Sequence, residues 1–145
     1  MTSNVLNPNV STQVHNITAG DTLIAVHVKA AFSNPGASFF TPNEFPFQLG
    51  MHLRSQGTLI DAHQHVPFTH IEKMPAQEFF YLIHGKIEVT LFHNKQKHSV
   101  VILQSGDALL LNCGHKLVFL EESKMLELKQ GPYRGREVEK EFFPG

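Results

Sequence analysis

Residues 57–85 read G-T-L-I-D-A-H-Q-H-V-P-F-T-H-I-E-K-M-P-A-Q-E-F-F-Y-L-I-H-G. His63 and His65 stand two apart, so on a β-strand their imidazoles leave the backbone on the same face. Glu78 opens a second apolar run, and its face continues through Phe80 and Leu82. Two imidazoles and a carboxylate converging inside a β-structure suit a first-row transition metal ion.

Outward from this stretch the period is that of strands almost throughout. Thr22 to Lys29 is β-branched and apolar, and Phe45 to Ser55 alternates, with Phe45, Phe47, Leu49, Met51 and Leu53 on one face. Leu59 to His65 follows a turn at Gly57. Glu78 to His84 runs into Gly85, and Lys86 to His93 reads as its hairpin partner. A polar turn at Asn94 to Lys97 leads to a strand at Ser99 to Leu103. The turn Gln104-Ser105-Gly106-Asp107 precedes Ala108 to Leu111, and Asn112-Cys113-Gly114 separates that run from Leu117 to Leu120. Met125 to Lys129 is the last strand, and no segment has the period of a long helix. Short strands broken by Gly, Asn and Asp predict an all-β fold, an antiparallel sandwich or barrel. With 145 residues and no linker or repeat, the chain reads as one domain. Its barrel core spans about residues 20–130, with an N-terminal arm (1–13) and a C-terminal tail (131–145).

Twelve basic against thirteen acidic residues leave a formal charge of −1, which offers no footprint for nucleic acid or an anionic membrane. No apolar run approaches membrane-spanning length, and the N-terminus lacks the basic-then-apolar layout of a signal peptide. The single cysteine, Cys113, excludes an intrachain disulfide and fits a reducing cytoplasm. No Gly-rich phosphate loop, nucleophile elbow or Cys-x-x-Cys pair is present.

Gly57, residues 58–62, then His63-Gln64-His65, followed later by Glu78, residues 79–84 and Gly85, resembles the first motif of the cupin family. The gap between His65 and Glu78, residues 66–77, is longer than in that motif and reads as a loop inserted over the barrel mouth. The second motif is matched less closely. Gly106-Asp107, Ala108 to Leu111 and Asn112-Cys113-Gly114 follow its order, with Asn112 where the family has proline and His115 two residues ahead of its usual place. The resemblance covers roughly residues 45–130, and K-Q-G-P-Y-R-G-R-E (129–137) resembles the end of small cupins found among surface-polysaccharide genes.

The resemblance implies a double-stranded β-helix, or jelly-roll, barrel of antiparallel strands. It also implies one divalent transition metal ion, Fe, Mn, Ni, Zn or Cu, held by His63, His65, Glu78 and His115. The function expected is that of a metal-dependent enzyme acting on a small polar molecule, with isomerase-type or dioxygenase-type chemistry. The alternatives are a non-catalytic metal or small-ligand binding module and a metal-free scaffold. His70 and Glu72 in the inserted loop, with Gln48 and Tyr81, are candidates for a lid or for the shell around the metal; His27 could also line the cavity. Lys129, Arg134 and Arg136 could receive an anionic substrate, and Cys113 reads as a small buried turn residue. The apolar pairs Phe39-Phe40 and Phe142-Phe143 lie outside the matched region, and covering them predicts a homodimer, each buried Phe contributing roughly 1.5–3 kcal/mol.

Overall fold

A computed structural model describes residues 12–63, 65–66, 74–131 and 134–145, without the side chains of Arg136 and Glu139. Within it the chain forms strands β1 (Val14–Ala19), β2 (Thr22–Val28), β3 (Gly36–Phe39), β4 (Gly50–Leu53) and β5 (Glu78–His84). These are followed by β6 (Lys86–His93), β7 (Gln96–Gln104), β8 (Ala108–Leu111), β9 (Gly114–Phe119), β10 (Lys124–Lys129) and a helical turn α1 (Arg136–Glu139). Every strand pairing is antiparallel. The strands make a five-stranded sheet in the order β1-β2-β8-β5-β10, a three-stranded sheet β7-β6-β9 and a separate pair β3-β4. The fold is therefore all-β and antiparallel, and among the described residues the sheets do not close into a barrel. No helix among them is long and apolar enough to cross a membrane.

The five- and three-stranded sheets share an apolar cluster. Phe80 and Leu82 of β5 and Leu109 and Leu111 of β8 meet Ile87, Val89 and Leu91 of β6 and Val101 and Leu103 of β7. The other face of the larger sheet carries a second cluster, in which Val26, Val28, Ala108 and Leu110 are covered by Phe32, Phe40, Phe45, Phe47 and Leu49. Burial on both faces explains why β2 and β8 read as continuous apolar runs instead of alternating. In β2 a bulge at Ile24 lies between the pairs Ile17↔Ala25 and Thr18↔Leu23. It turns Ile24 to the inner cluster while Val26 and Val28 face outward.

Three expectations need correction. β5 and β6 are both strands but do not form a hairpin with each other: β5 lies between β8 and β10, and β6 lies in the other sheet. Gly85 is the corner between the sheets. Its φ of 111° favours glycine, and a Cβ there would lie 2.2 Å from Ser123 Oγ. The hairpin is β6–β7, whose two-residue turn Asn94-Lys95 has φ of 50° and 63°, the positive values a type I′ turn requires. The strand expected over Phe45 to Ser55 is limited to Gly50–Leu53. Ahead of it Gln48 Nε2 donates to the carbonyls of Pro42 and Phe45, which folds that segment into a compact loop over the second cluster. The strand expected over Leu59 to His65 is absent from the described part of that segment, 59–63 and 65. A strand needs a neighbour for its backbone groups, no strand of the described residues lies beside it, and Leu59 and Ile60 are exposed.

Candidate functional site

Glu78 is the first residue of β5, in the five-stranded sheet, and His115 lies near the start of β9, in the three-stranded sheet. The alternation that sends Phe80 and Leu82 into the inner cluster turns Glu78 the same way, at the open end of the row. His115 Nε2 lies 3.1 Å from Glu78 Oε2, so the pair bridges the two sheets. The edge of the His115 ring meets Phe80 with centroids 5.7 Å apart. His115 Nδ1 lies 3.4 Å from the carbonyl of Cys113, which can only accept, so Nδ1 carries its proton. A ring with an acceptor at each nitrogen favours the imidazolium form.

The electrostatics agree. Burial alone works against a charge on His115, but the hydrogen bond and negative charge of Glu78, with help from the Cys113 carbonyl and Glu127, hold the ring above its ordinary value. Glu78 is held below the usual carboxylate value by the hydrogen bond from His115, against the cost of burial, with Lys129 and Lys140 adding to the effect. The sign of the pH dependence follows. The depressed Glu78 contributes stability that is present above 4.5 and lost as pH falls through its folded value. The raised His115 contributes stability that is complete below 6.5 and lost as pH rises through its folded value. Urea unfolding across pH is expected to show the pair's contribution at its greatest between these limits. Replacing His115 by phenylalanine should flatten that feature, and an unchanged profile would show that the pair is not formed.

Glu78 is held from behind by a polar network. The buried Gln77 accepts from the Phe47 amide through Oε1 and donates from Nε2 to Asn112 Oδ1, while its own amide donates to Gln130 Oε1. Asn112 in turn donates to the Leu23 carbonyl. Gln77, Asn112 and Gln130 thus fix where β5 begins.

The pair faces a cavity of about 760 Å³. Phe80 and Leu117 line it, and β10 and the residues after it supply Glu127, Lys129, Arg134 and Lys140. The last residues of the chain complete the wall. Phe143 packs edge-on against Phe92 with centroids 5.1 Å apart, Lys116 Nζ donates to the Gly145 carbonyl, and Lys95 is bonded to Glu141. The sequence singles out Phe142-Phe143 as a contact between copies, yet Phe143 folds onto its own chain and Phe142 stays exposed. The other pair divides the same way, with Phe40 against Phe32 and Phe39 exposed.

The four candidate ligands stand as two pairs. His63 and His65 lie beside each other with ring centroids 5.4 Å apart, both exposed, and His63 Nδ1 is bonded to the Asp61 carbonyl. Neither lines the cavity that Glu78 and His115 face. Among the described residues no group of three or more His, Cys, Asp or Glu side chains is arranged to hold a metal ion. Gln48 is engaged in its own loop and Tyr81 is exposed on the outer face of β5, so neither lines the cavity. His70 and Glu72 lie outside the described residues, as does the side chain of Arg136. His27 is buried and bonded to Asp107 Oδ2 at 2.9 Å, away from the cavity wall. Cys113 lines the cavity, but burial pushes its thiol up to about 11, so it is a neutral thiol at ordinary pH.

Fold and site together define an all-β protein in which a carboxylate–imidazole pair joins two antiparallel sheets at the wall of a cavity. Compared with family models, curated proteins and solved structures, the chain matches none.

Proposed function

We propose that the chain is a small cytoplasmic cupin of jelly-roll type that acts on a small polar molecule, with Glu78 and His115 as its chemical centre. The observation that carries this reading is the 3.1 Å contact between the two side chains on the wall of a cavity of ligand size. A carboxylate held in its charged form accepts a proton, and an imidazolium beside it donates one. Such a pair suits isomerase-type chemistry, in which a proton leaves one carbon or oxygen of the substrate and another arrives nearby. The neutral thiol of Cys113 and the rings of Phe80 and Phe92 line the cavity beside the pair, with the charged side chains of Glu127, Lys129 and Lys140 on the same wall.

A divalent transition metal ion is part of the proposal. The imidazoles of His63, His65 and His115 and the carboxylate of Glu78 would hold it, and it would supply Lewis acidity toward a bound oxygen. The donor set fits such an ion in its chemistry. In placement it does not, because only Glu78 and His115 line the cavity; a site using all four donors requires His63 and His65 to approach the pair. Calorimetric titration with Zn(II) or Ni(II) separates the possibilities. If all four residues are ligands, His63→Ala and His65→Ala each weaken the metal about as much as His115→Ala. A loss confined to His115→Ala removes the two loop histidines from the site. The separation of the two pairs favours a second reading, a metal-free binding module in which Glu78 and His115 contact the ligand directly.

The proposal includes a homodimer, resting on Phe39 and Phe142, which are 63% and 72% exposed. Light scattering at micromolar concentration is expected to give the dimer mass, and Phe39→Ser with Phe142→Ser to lower it. A monomer mass for the unaltered chain would end this part of the proposal.

A further inference from the structure

The segment that completes the wall of the cavity, residues 140–145, occupies a seat shaped to its side chains. Phe143 stands edge-on to Phe92, near the end of β6, and its ring also reaches Gly114, the first residue of β9. A Cβ added at Gly114 would lie 3.2 Å from Phe143 Cζ and 3.4 Å from Phe92 Cβ, so a side chain there would press on the ring. Gly114 is not among the glycines with positive φ, so its backbone has no need of glycine. The missing side chain is space that the Phe143 ring uses. At Gly145 the fit is as close, since a Cβ there would lie 2.8 Å from Phe92 Cζ.

The seat is closely shaped, but its fastenings are weak. Besides the ring contact, Lys116 Nζ donates to the Gly145 carbonyl at 3.1 Å, and Lys95, in the turn between β6 and β7, is bonded to Glu141. The side chains of Lys95 and Glu141 are 56% and 73% exposed, so water screens their attraction. Ahead of the segment the chain passes through Gly135, whose φ of 93° favours glycine and whose Cβ would meet nothing, and through α1, where Val138 is exposed. A segment joined to the core by few buried contacts opens at low cost. Its position bears directly on the pair. Gly114 lies between Cys113 and His115, so the Phe143 ring sits beside the backbone that carries the imidazole. Residues 140–143 and 145 line the same cavity as Glu78 and His115.

We propose that residues 140–145 are a strap that gates the cavity: seated at Gly114 when the cavity is closed, and lifted from Phe92 to admit or release the molecule that meets Glu78 and His115. What the strap admits rests on the small-molecule reading given above; the closure itself does not. Cys113 lines the cavity and is half-buried, so it gains access to reagents when the strap lifts. As the single cysteine of the chain, it reports that motion alone.

The test follows alkylation of Cys113 in the full chain by iodoacetamide, a small neutral reagent, at fixed pH and read by mass. The thiolate is the reactive form, and burial pushes the Cys113 thiol up to about 11, so the seated chain reacts slowly. Phe143→Ala is expected to keep the circular dichroism spectrum of the unaltered chain and to react about tenfold or more faster. That rate should stay nearly flat in low urea, because lifting a strap exposes little surface whereas unfolding the sheets exposes much. Lys95→Gln, whose side chain does not line the cavity, should react about twofold faster. A folded Phe143→Ala that reacts as slowly as the unaltered chain, or faster but with a rate climbing steeply in urea, overturns the strap. If Phe143→Ala does not fold, Lys95→Gln decides by the same comparison, and a rate equal to that of the unaltered chain overturns it. No ligand enters the measurement, so a failed strap leaves the small-molecule reading standing, and failure of that reading leaves the strap standing.

Discussion

Asp107→Ala is expected to destabilise the fold by about 2 kcal/mol or more, because one buried donor and two part-buried ones lose their acceptor together, and a buried donor alone costs roughly 1–3 kcal/mol. Asp107 Oδ1 accepts from the Ala30 amide at 3.1 Å, and Oδ2 accepts from the Gln104 amide at 3.1 Å and from His27 Nε2 at 2.9 Å. The carboxylate thereby ties the turn between β7 and β8 to β2 and to the segment after it. Neighbouring Gly106 is fixed by φ of 86° and by Ala30 Cβ, 2.8 Å from where its own Cβ would stand. The Gly-Asp step that aligns with the second cupin motif therefore has a structural task in this chain. Chemical denaturation checks the figure. Asp107→Asn, which keeps the shape and one acceptor oxygen, should lose less than Asp107→Ala. A loss under 1 kcal/mol for the alanine variant would show that water replaces the carboxylate and that the turn does not depend on it.

Glu78→Gln is expected to have the largest effect on chemistry with a small effect on folding. Both partners remain partly accessible, with side chains 20% and 24% exposed, so screening limits what the ion pair adds to stability, to about 1 kcal/mol or less. Without the carboxylate, nothing comparable opposes the burial of the ring, and His115 should titrate below 6.5 instead of above it. The change is read directly from the ring signals against pH. If a metal ion is held there, its affinity should fall about 100-fold or more, since removing a ligand costs at least as much as removing the group that orients one. A His115 ring that titrates identically in both proteins would show that the two side chains are not paired in solution.

Much of the strand pattern is legible in the sequence, because short apolar runs end at residues with a specific backbone task. Gly106 sits where the letters place it, the turn expected over Asn94 to Lys97 narrows to Asn94-Lys95 because β7 begins at Gln96, and β8 and β10 follow their apolar runs closely. Which strands become neighbours is not legible. Glu78 to His84 and Lys86 to His93 look like hairpin arms, and only the close approach of Ser123 to Gly85 reveals a corner between sheets. β1 and β3 escape notice because V-H-N-I-T-A and G-A-S-F are short and half polar, and each acquires strand form from a stronger partner. The parity of Glu78 with Phe80 and Leu82 places its carboxylate on the inner face. His115, beside a turn of uncertain length, finds that carboxylate only through the packing of one sheet on the other. Lys140, Phe143 and the polar clamp of Gln77 contribute through distant contacts that no local spacing encodes.

The most direct test of the central claim, that Glu78 and His115 form the working centre of the cavity, is a crystal structure of protein purified without added ligand or chelator, with anomalous data collected for transition metals. The proposed function predicts density for a small molecule or an ion in contact with Glu78 Oε2 and His115 Nε2. A structure in which the two side chains touch only each other, with Phe142 and Phe143 filling the space before them, would contradict it.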